Sequence, residues 1–358
     1  MPSHEDQPET TTSTEKSPTY WFDDGNVILQ VGDNSFRVHT SVLSRHSVVF
    51  RDLFKLPQTS PDMRDGCVVV QLHDIAGDVE VLLAALYDGC SMYFGARSCI
   101  PFSTIACLIR LGHKYQMEHI FAGAITRLKS CFVASFVECY ALRSRGSRSM
   151  SFVDADAIEA VNLARLTQIG TVLPTALYIC GLLPNNLLLH GVPRKNGTVE
   201  RLSSEDIIRC LDGRANLLAA LREKRFKWFF APTIRISDGC RQEKTCKAAL
   251  KVMAMNIVKE GLITDLSFLD NVGLDERKEQ HLMCQSCWQM VQHDDERECE
   301  AIWCDLPQHM GVTVVHWNIP WAAQGMPHLK PVLSARQVSF DLHFRRHDIV
   351  IRAPRPRR

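Results

Sequence analysis

Hydrophobic and polar positions alternate most clearly near the start of the chain. Val27, Leu29 and Val31 fall on one side of an extended segment, Ile28 and Gln30 on the other. Gly32-Asp33-Asn34 comes next, residues that tolerate positive φ, and Phe36 and Val38 then alternate on a returning strand. The pattern predicts a β-hairpin, introduced by the turn signal Asp24-Gly25. From there the period becomes helical. Thr40 or Ser41 is placed to N-cap a short helix, and Ser47 a second, on which Val49-Phe50 and Leu53-Phe54 recur at helical spacing. Residues 56–61 carry two prolines and read as a loop. The β-branched run at 67–72 predicts a third strand, bounded by Gly66 and His73-Asp74. Three helices are expected after it. The first is capped by Asp78, runs over 79–87 with Val79, Leu82, Leu83 and Leu86 on one face, and stops at Gly89. Pro101 opens the second, striped by Ile105, Leu108, Ile109 and Leu111. The third spans 117–131 with Ile120, Phe121, Ile125 and Leu128.

A second region begins near Ser135. Arg143, Arg145 and Arg148, interleaved with Ser and Gly, read as a basic solvated loop. From Asp156 the pattern is again helical, with Ile158, Val161, Leu163 and Leu166. Ser203 stands three residues before Asp206, and Ser204 three before Ile207, the signature of a capped helix start. Residues 338–344 and 349–351 look strand-like, and the chain closes on a basic run. The expected organisation is a disordered polar tail over 1–19, an α+β domain over 20–132, a mainly helical region over 133–320, and a strand-like segment with a basic tail over 321–358. No repeat of solenoid period is visible.

Composition narrows this reading without redirecting it. The 358 residues suit two domains, 46% hydrophobic and 23% charged residues are those of a globular protein, and a net charge of +1 gives no global field toward nucleic acid or an anionic membrane. The first ten residues are polar and acidic, unlike a secretory signal. The most apolar stretch, 171–189, contains Pro174, Gly181, Pro184 and two Asn, which suits a buried helix better than a membrane span. An intracellular place, cytoplasmic or nuclear, is expected. The 14 cysteines then read as reduced thiols, and the sequon at Asn196 as unmodified.

The segment Phe36-x-Val38-His39-x-x-x-Leu43, continued by Ser47-x-x-Phe50-x-x-x-Phe54, resembles the opening of a BTB (POZ) domain. With Asp24-Gly25 before it and ArgLeuGlyHisLysTyr at 110–115, the resemblance is to fungal BTB proteins of the basidiomycete type, and it covers about 20–132. LeuPro-x-AlaLeuTyr at 173–178 resembles the helical continuation beyond the domain in the same proteins. The resemblance implies a short sheet flanked by helices and a protein-interaction role, with Asp24, Gly25, Phe36, His39, Leu43, Ser47, Phe50 and Phe54 serving the fold. His39 is expected to be buried and to donate to backbone. In dimeric BTB transcription factors a charged pocket is lined by an Asp of the first strand and a basic residue after the histidine. Asn26 and Thr40 stand there in this chain, so that pocket's binding role does not carry over. The exchanged N-terminal strand of such dimers has no counterpart expected in the polar tail before Ser17.

Enzymatic motifs are missing. No two glycines are spaced Gly-x-Gly, and the phosphate-binding loop, the Gly-x-Ser-x-Gly elbow and His-Glu-x-x-His do not occur. One constellation stands out. Cys240 lies before a helix predicted over 245–260 and Cys246 at its start, and Cys284 and Cys287 come after it in Cys-x-x-Cys spacing. Four thiolates of this kind suit a closed structural zinc site, with His281, His293, Cys299 and Cys304 as spare ligands. Cys284 and Cys287 are also i,i+3 neighbours on a helix face, as two core thiols are, so both readings stay open. Trp228-Phe229-Phe230, Trp303, Trp317 and Trp321 read as core.

The function these features imply is a non-enzymatic interaction module, a scaffold or adaptor with protein partners, self-association included. Membrane and nucleic acid are not expected partners. The alternatives are a substrate adaptor of a cullin-type ubiquitin ligase, for which Met63-Arg64-Asp65 resembles the hydrophobic-x-acidic triplet of the cullin-facing loop, a transcriptional regulator, for which the usual zinc fingers are missing, and an enzyme with an unrecognised site in the helical region.

Overall fold

The computed structural model describes residues 15–57, 62–89, 99–145, 147–194, 197–229, 231–266, 282–315 and 317. His281, Trp321 and the strand-like segment expected beyond 320 lie outside them.

The predicted hairpin is the centre of a five-stranded sheet. β2 (Val27–Val31) and β3 (Asn34–Val38) pair antiparallel, with Val27 opposite Val38 and Val31 opposite Asn34. Gly32 supplies the positive φ of the turn, at 55°. β5 (Cys67–Leu72) runs parallel to β2, and the full order is β1-β3-β2-β5-β4. All five residues of the central β2 are buried, Gln30 included. Its side chain is satisfied there: it donates to the Gly32 carbonyl at 2.6 Å and accepts from Ser35 Oγ at 2.8 Å and Arg64 Nη2 at 2.7 Å.

Both edges correct the sequence reading. Residues 15–19, expected to be disordered, belong to β1 (Glu15–Trp21), which lies parallel to β3. Only Ser17 and Tyr20 of that strand are buried, too weak a pattern to register in so polar a stretch. Tyr20 anchors it, its hydroxyl donating to Asp88 at 2.8 Å. The other edge, β4 (Met63–Arg64), folds back on β5 through Asp65 and Gly66, both at positive φ (50° and 73°), the conformation that a two-residue hairpin loop requires. Met63 and Asp65 therefore sit in a hairpin.

The helices α1 (Thr40–His46) and α2 (Val48–Leu53) come after β3 as expected, and Ser47 caps α2 by accepting from the Phe50 N–H at 3.0 Å. α3 (Ala76–Tyr87) begins earlier than predicted, with Ile75 at the N-cap and Asp78 inside the first turn. α4 (Phe102–Lys114) has Pro101 at its N-cap, and α5 is Glu118–Lys129. Gly112 is needed where these two pack: a Cβ there would lie 3.2 Å from Phe121.

Beyond the first domain the chain is mainly helical. α6 (Phe136–Arg145) takes in Arg143 and Arg145, which were expected in a loop. α7 (Ala157–Leu166) leads to α8 (Leu173–Leu182) and α9 (Asn185–His190), the apolar stretch being divided at Leu183-Pro184. The two-residue strands Val192–Pro193 and Val199–Glu200 form a small hairpin before α10 (Ser204–Ala220), which Ser203 caps through the Asp206 N–H at 3.1 Å. A π-helical turn, Leu221–Arg225, extends α10. α11 (Glu243–Lys259), α12 (Gln285–Cys304) and α13 (Leu306–His309) complete the described part. None of the described helices is long and apolar enough to cross a membrane.

One hydrophobic core runs from Tyr20 to Met310. Thr175 of α8 donates to the Val133 carbonyl at 2.7 Å, and the fully buried Trp303 of α12 donates to the Ala134 carbonyl at 2.8 Å. The residues just after α5 thus hold the helical region against the first domain. Arg225 and Asp295 form a buried bidentate pair, Nε–Oδ1 at 2.6 Å and Nη2–Oδ2 at 2.8 Å, between the π turn and α12.

Candidate functional site

The residues of the opening motif are tied into the fold. Leu43 and Phe50 are buried, and Phe50 stacks on Tyr115 and Phe54 with ring centroids 4.6 and 6.0 Å away. Ser47 Oγ also donates to the Tyr115 carbonyl at 2.6 Å. Gly25 accommodates a close approach: a Cβ there would meet Arg37 Cγ at 2.9 Å, and the Gly25 carbonyl accepts from Arg37 Nε at 2.9 Å. His39 departs from expectation. Its ring is half-buried, and its partners are the Asp24 carboxylate (3.2 Å to Nε2) and the Tyr87 hydroxyl (3.1 Å to Nδ1), rather than a backbone carbonyl. The Tyr87 hydroxyl also accepts the His39 backbone N–H at 2.9 Å, and burial raises its pKa.

Asn26 and Thr40 close on each other. Asn26 Nδ2 donates to Thr40 Oγ1 at 3.1 Å, and the Thr40 backbone N–H donates to Asn26 Oδ1 at 2.8 Å. The pair is neutral and mutually satisfied. It lines a surface hollow of about 550 Å³ with Arg51, Phe54, Leu56 and Val68. Leu56 is 63% exposed, and Met63, the cross-strand neighbour of Val68, is 54% exposed. The hollow thus sets apolar side chains beside the neutral Asn26–Thr40 pair and the basic Arg51 and Lys55. Asp65, beside Met63, is held by Lys16 of β1 at 2.9 Å, and that hydrogen bond lowers its pKa.

A second hollow, of about 750 Å³, lies where α3, α4 and α7 meet the Val192–Glu200 hairpin. Its charged side chains answer one another. Arg110 pairs with Glu159 and, at 3.2 Å, with Asp78, while Arg194 pairs with Glu200 and, at 3.0 Å, with Glu159. Cys107, on its wall, donates to the Asp78 carbonyl at 3.3 Å, and burial pushes its pKa up, the state of an inert structural thiol. The cluster works as an ion-pair seam between the first domain and the helices after it.

The four cysteines singled out by spacing come together. The sulfurs of Cys240, Cys246, Cys284 and Cys287 all lie within 4.8 Å of one another. Cys240 sits in the loop before α11 and Cys246 within the first turns of that helix, which begins two residues earlier than predicted. Cys284 is the N-cap of α12, and Cys287 is in its first turn. Cys246 and Cys287 are buried, and burial pushes both thiols up, whereas the Cys287 peptide N–H pulls Cys284 down to about 7. The spare candidates stay apart: Cys299 is buried beside Arg225, and His293 and Cys304 are outside the cluster.

Sequence reasoning named Met63 as part of a partner loop but passed over Leu56 and the Arg110–Glu159–Arg194 seam. The signal for Leu56 was no more than an apolar residue next to Pro57. The seam joins residues far apart in the chain, for which spacing carries no signal.

Residues 22–130 match the family model of the BTB/POZ domain. No curated protein matches the chain. The five-stranded sheet, the helical pair after β3 and this match agree: residues 22–130 form a BTB/POZ domain, a protein-interaction fold.

Proposed function

We propose that this protein is a non-enzymatic scaffold or adaptor that binds protein through the apolar rim of the Asn26–Thr40 hollow. The observation that supports this is the exposure of Leu56 and Met63 next to Phe54 and Val68. Apolar side chains grouped around a concave surface, on a fold built for association, are the usual anchor of a protein interface. Arg51 and Lys55 line the hollow beside the neutral Asn26–Thr40 pair, so an acidic group on the partner segment is answered there.

The adaptor of a cullin-type ligase is the finer form of this reading. Met63 supports it, exposed on an edge strand; Asp65 weighs against it, since its carboxylate already accepts from Lys16. A place among fungal BTB proteins is part of this reading, and it rests on the resemblance at Asp24-Gly25, at 110–115 and at 173–178; Tyr115 of the second stretch packs on Phe50.

Affinity purification of the full chain, with identification of co-purifying proteins, tests the proposal. A cullin retained by the parent chain and lost with Met63→Ala supports the finer form. A cullin that survives both Met63→Ala and Asp65→Ala removes that hairpin from it.

A further inference from the structure

We propose that Cys240, Cys246, Cys284 and Cys287 bind one zinc ion, which pins the start of α11 to the N-terminus of α12. The first ground is geometry. Four sulfurs within 4.8 Å of one another are close to the tetrahedron zinc requires, whose edges measure about 3.8 Å for zinc–sulfur bonds of about 2.3 Å. Small movements of side chains at two helix starts close that difference. Core thiols need no such convergence. Cys107, Cys180 and Cys210 are buried too, and each donates to, or lies among, groups of the ordinary core.

The second ground is the set of peptide N–H groups turned toward these sulfurs. Gln242 N–H donates to Cys240 Sγ at 3.4 Å and Cys284 N–H to Cys246 Sγ at 3.3 Å. The Cys287 and Ser237 peptides lie close enough to lower the pKa of Cys284 and to oppose the rise at Cys287. Cys240 and Cys246 thus each have a backbone donor, the outer-shell support that thiolate ligands take around a metal. Neither α11 nor α12 has a side-chain oxygen cap, and both direct their amino ends, with their partial positive charge, at the cluster. A cation bound there would hold all four as thiolates, and the two helix ends would offset part of their charge.

The chemistry of the ligand set selects the metal and its role. Tetrahedral sulfur ligation suits zinc or iron and disfavours magnesium and calcium. With all four positions filled by protein, no site is left for water or substrate, so the ion is structural. It joins residues 38 positions apart, Cys246 and Cys284. This assignment stands independently of the binding role proposed for the BTB domain.

The test is metal analysis of the full-length chain, purified anaerobically without chelator. The expected result is about one zinc per chain, released when an organomercurial blocks the thiols. Replacement by cobalt should give the intense red absorption of tetrahedral cobalt with a sulfur-to-metal charge-transfer band. Cys284→Ser should lose the ion, while Cys299→Ser, a buried cysteine outside the cluster, should keep it. Native mass spectrometry of the parent chain gives the same answer if Cys284→Ser does not fold. A parent chain free of zinc, with these cysteines as free thiols or in Cys240–Cys246 or Cys284–Cys287 disulfides, overturns the assignment, as does stoichiometric iron.

Discussion

The backbone N–H of Cys284 donates to the sulfur of Cys246 at 3.3 Å, across 38 positions of sequence. The contact joins the first turns of two helices whose intervening segment is long, so a metal bridge there closes a large loop. Loop closure of this length is worth about 4 kcal/mol in the chain-entropy view. Stripping zinc from the folded chain with a strong chelator should therefore lower Tm on the order of 10 °C. Differential scanning calorimetry with and without the chelator checks this. Cys284→Ser should show the low value in both conditions.

Ser47 donates to one element and caps another. Its hydroxyl accepts from the Phe50 N–H and donates to the Tyr115 carbonyl, in a site that is 1% exposed. Ser47→Ala leaves both backbone groups without that partner. The expected loss is about 2 kcal/mol, measured as a shift of the urea midpoint with an unchanged slope.

Arg225 is buried and depends on Asp295 for compensation. Asp295→Ala should destabilise the chain by about 3–5 kcal/mol. The double variant Arg225→Met with Asp295→Leu removes both charges and should cost less than the single change. A double-mutant cycle in denaturant supplies the comparison.

His46 at the end of α1 and His119 on α5 lie with ring centroids 4.7 Å apart. Burial lowers the pKa of both, and at His46 the charges of His119 and Arg45 lower it further, from an ordinary 6.5. Below 6.5 the unfolded chain takes up protons that the folded chain resists. The stability linked to this pair is therefore complete above that pH and is lost as pH falls through the lowered folded values. Denaturation midpoints tracked from about pH 7.5 down to 5 should decline, and His119→Gln should flatten part of that decline.

Much of the BTB domain was legible because its signals are local. Val27–Val31, Gly32 and Phe36–Val38 announce a hairpin by alternation and a turn, and Ser47 announces a helix start by position alone. The edges were not legible. β1 is built from Glu15 to Trp21 with two buried side chains, and β4 has only two residues, so neither carries a pattern of its own. The cysteines show the same division. Spacing picked out all four as a candidate set, but it put only Cys284 and Cys287 side by side; the meeting of the starts of α11 and α12 brings Cys240 and Cys246 to them. His39 was expected against backbone because its partner Tyr87, 48 positions away, cannot be inferred from local pattern.

On the proposed function, the Leu56–Met63 rim of the BTB domain binds protein, a second copy of the chain included. Exposed positions of this kind carry little of the fold, so Leu56→Asp with Met63→Asp should leave stability within about 0.5 kcal/mol. The deciding measurement compares this double variant with the parent full-length chain, by sedimentation velocity of each and by affinity purification with quantitative mass spectrometry. The prediction is self-association, or a protein retained in near-stoichiometric amount, with the parent and its loss with the variant. A parent chain that stays monomeric and retains no protein would contradict the proposal, as would a partner held equally by both.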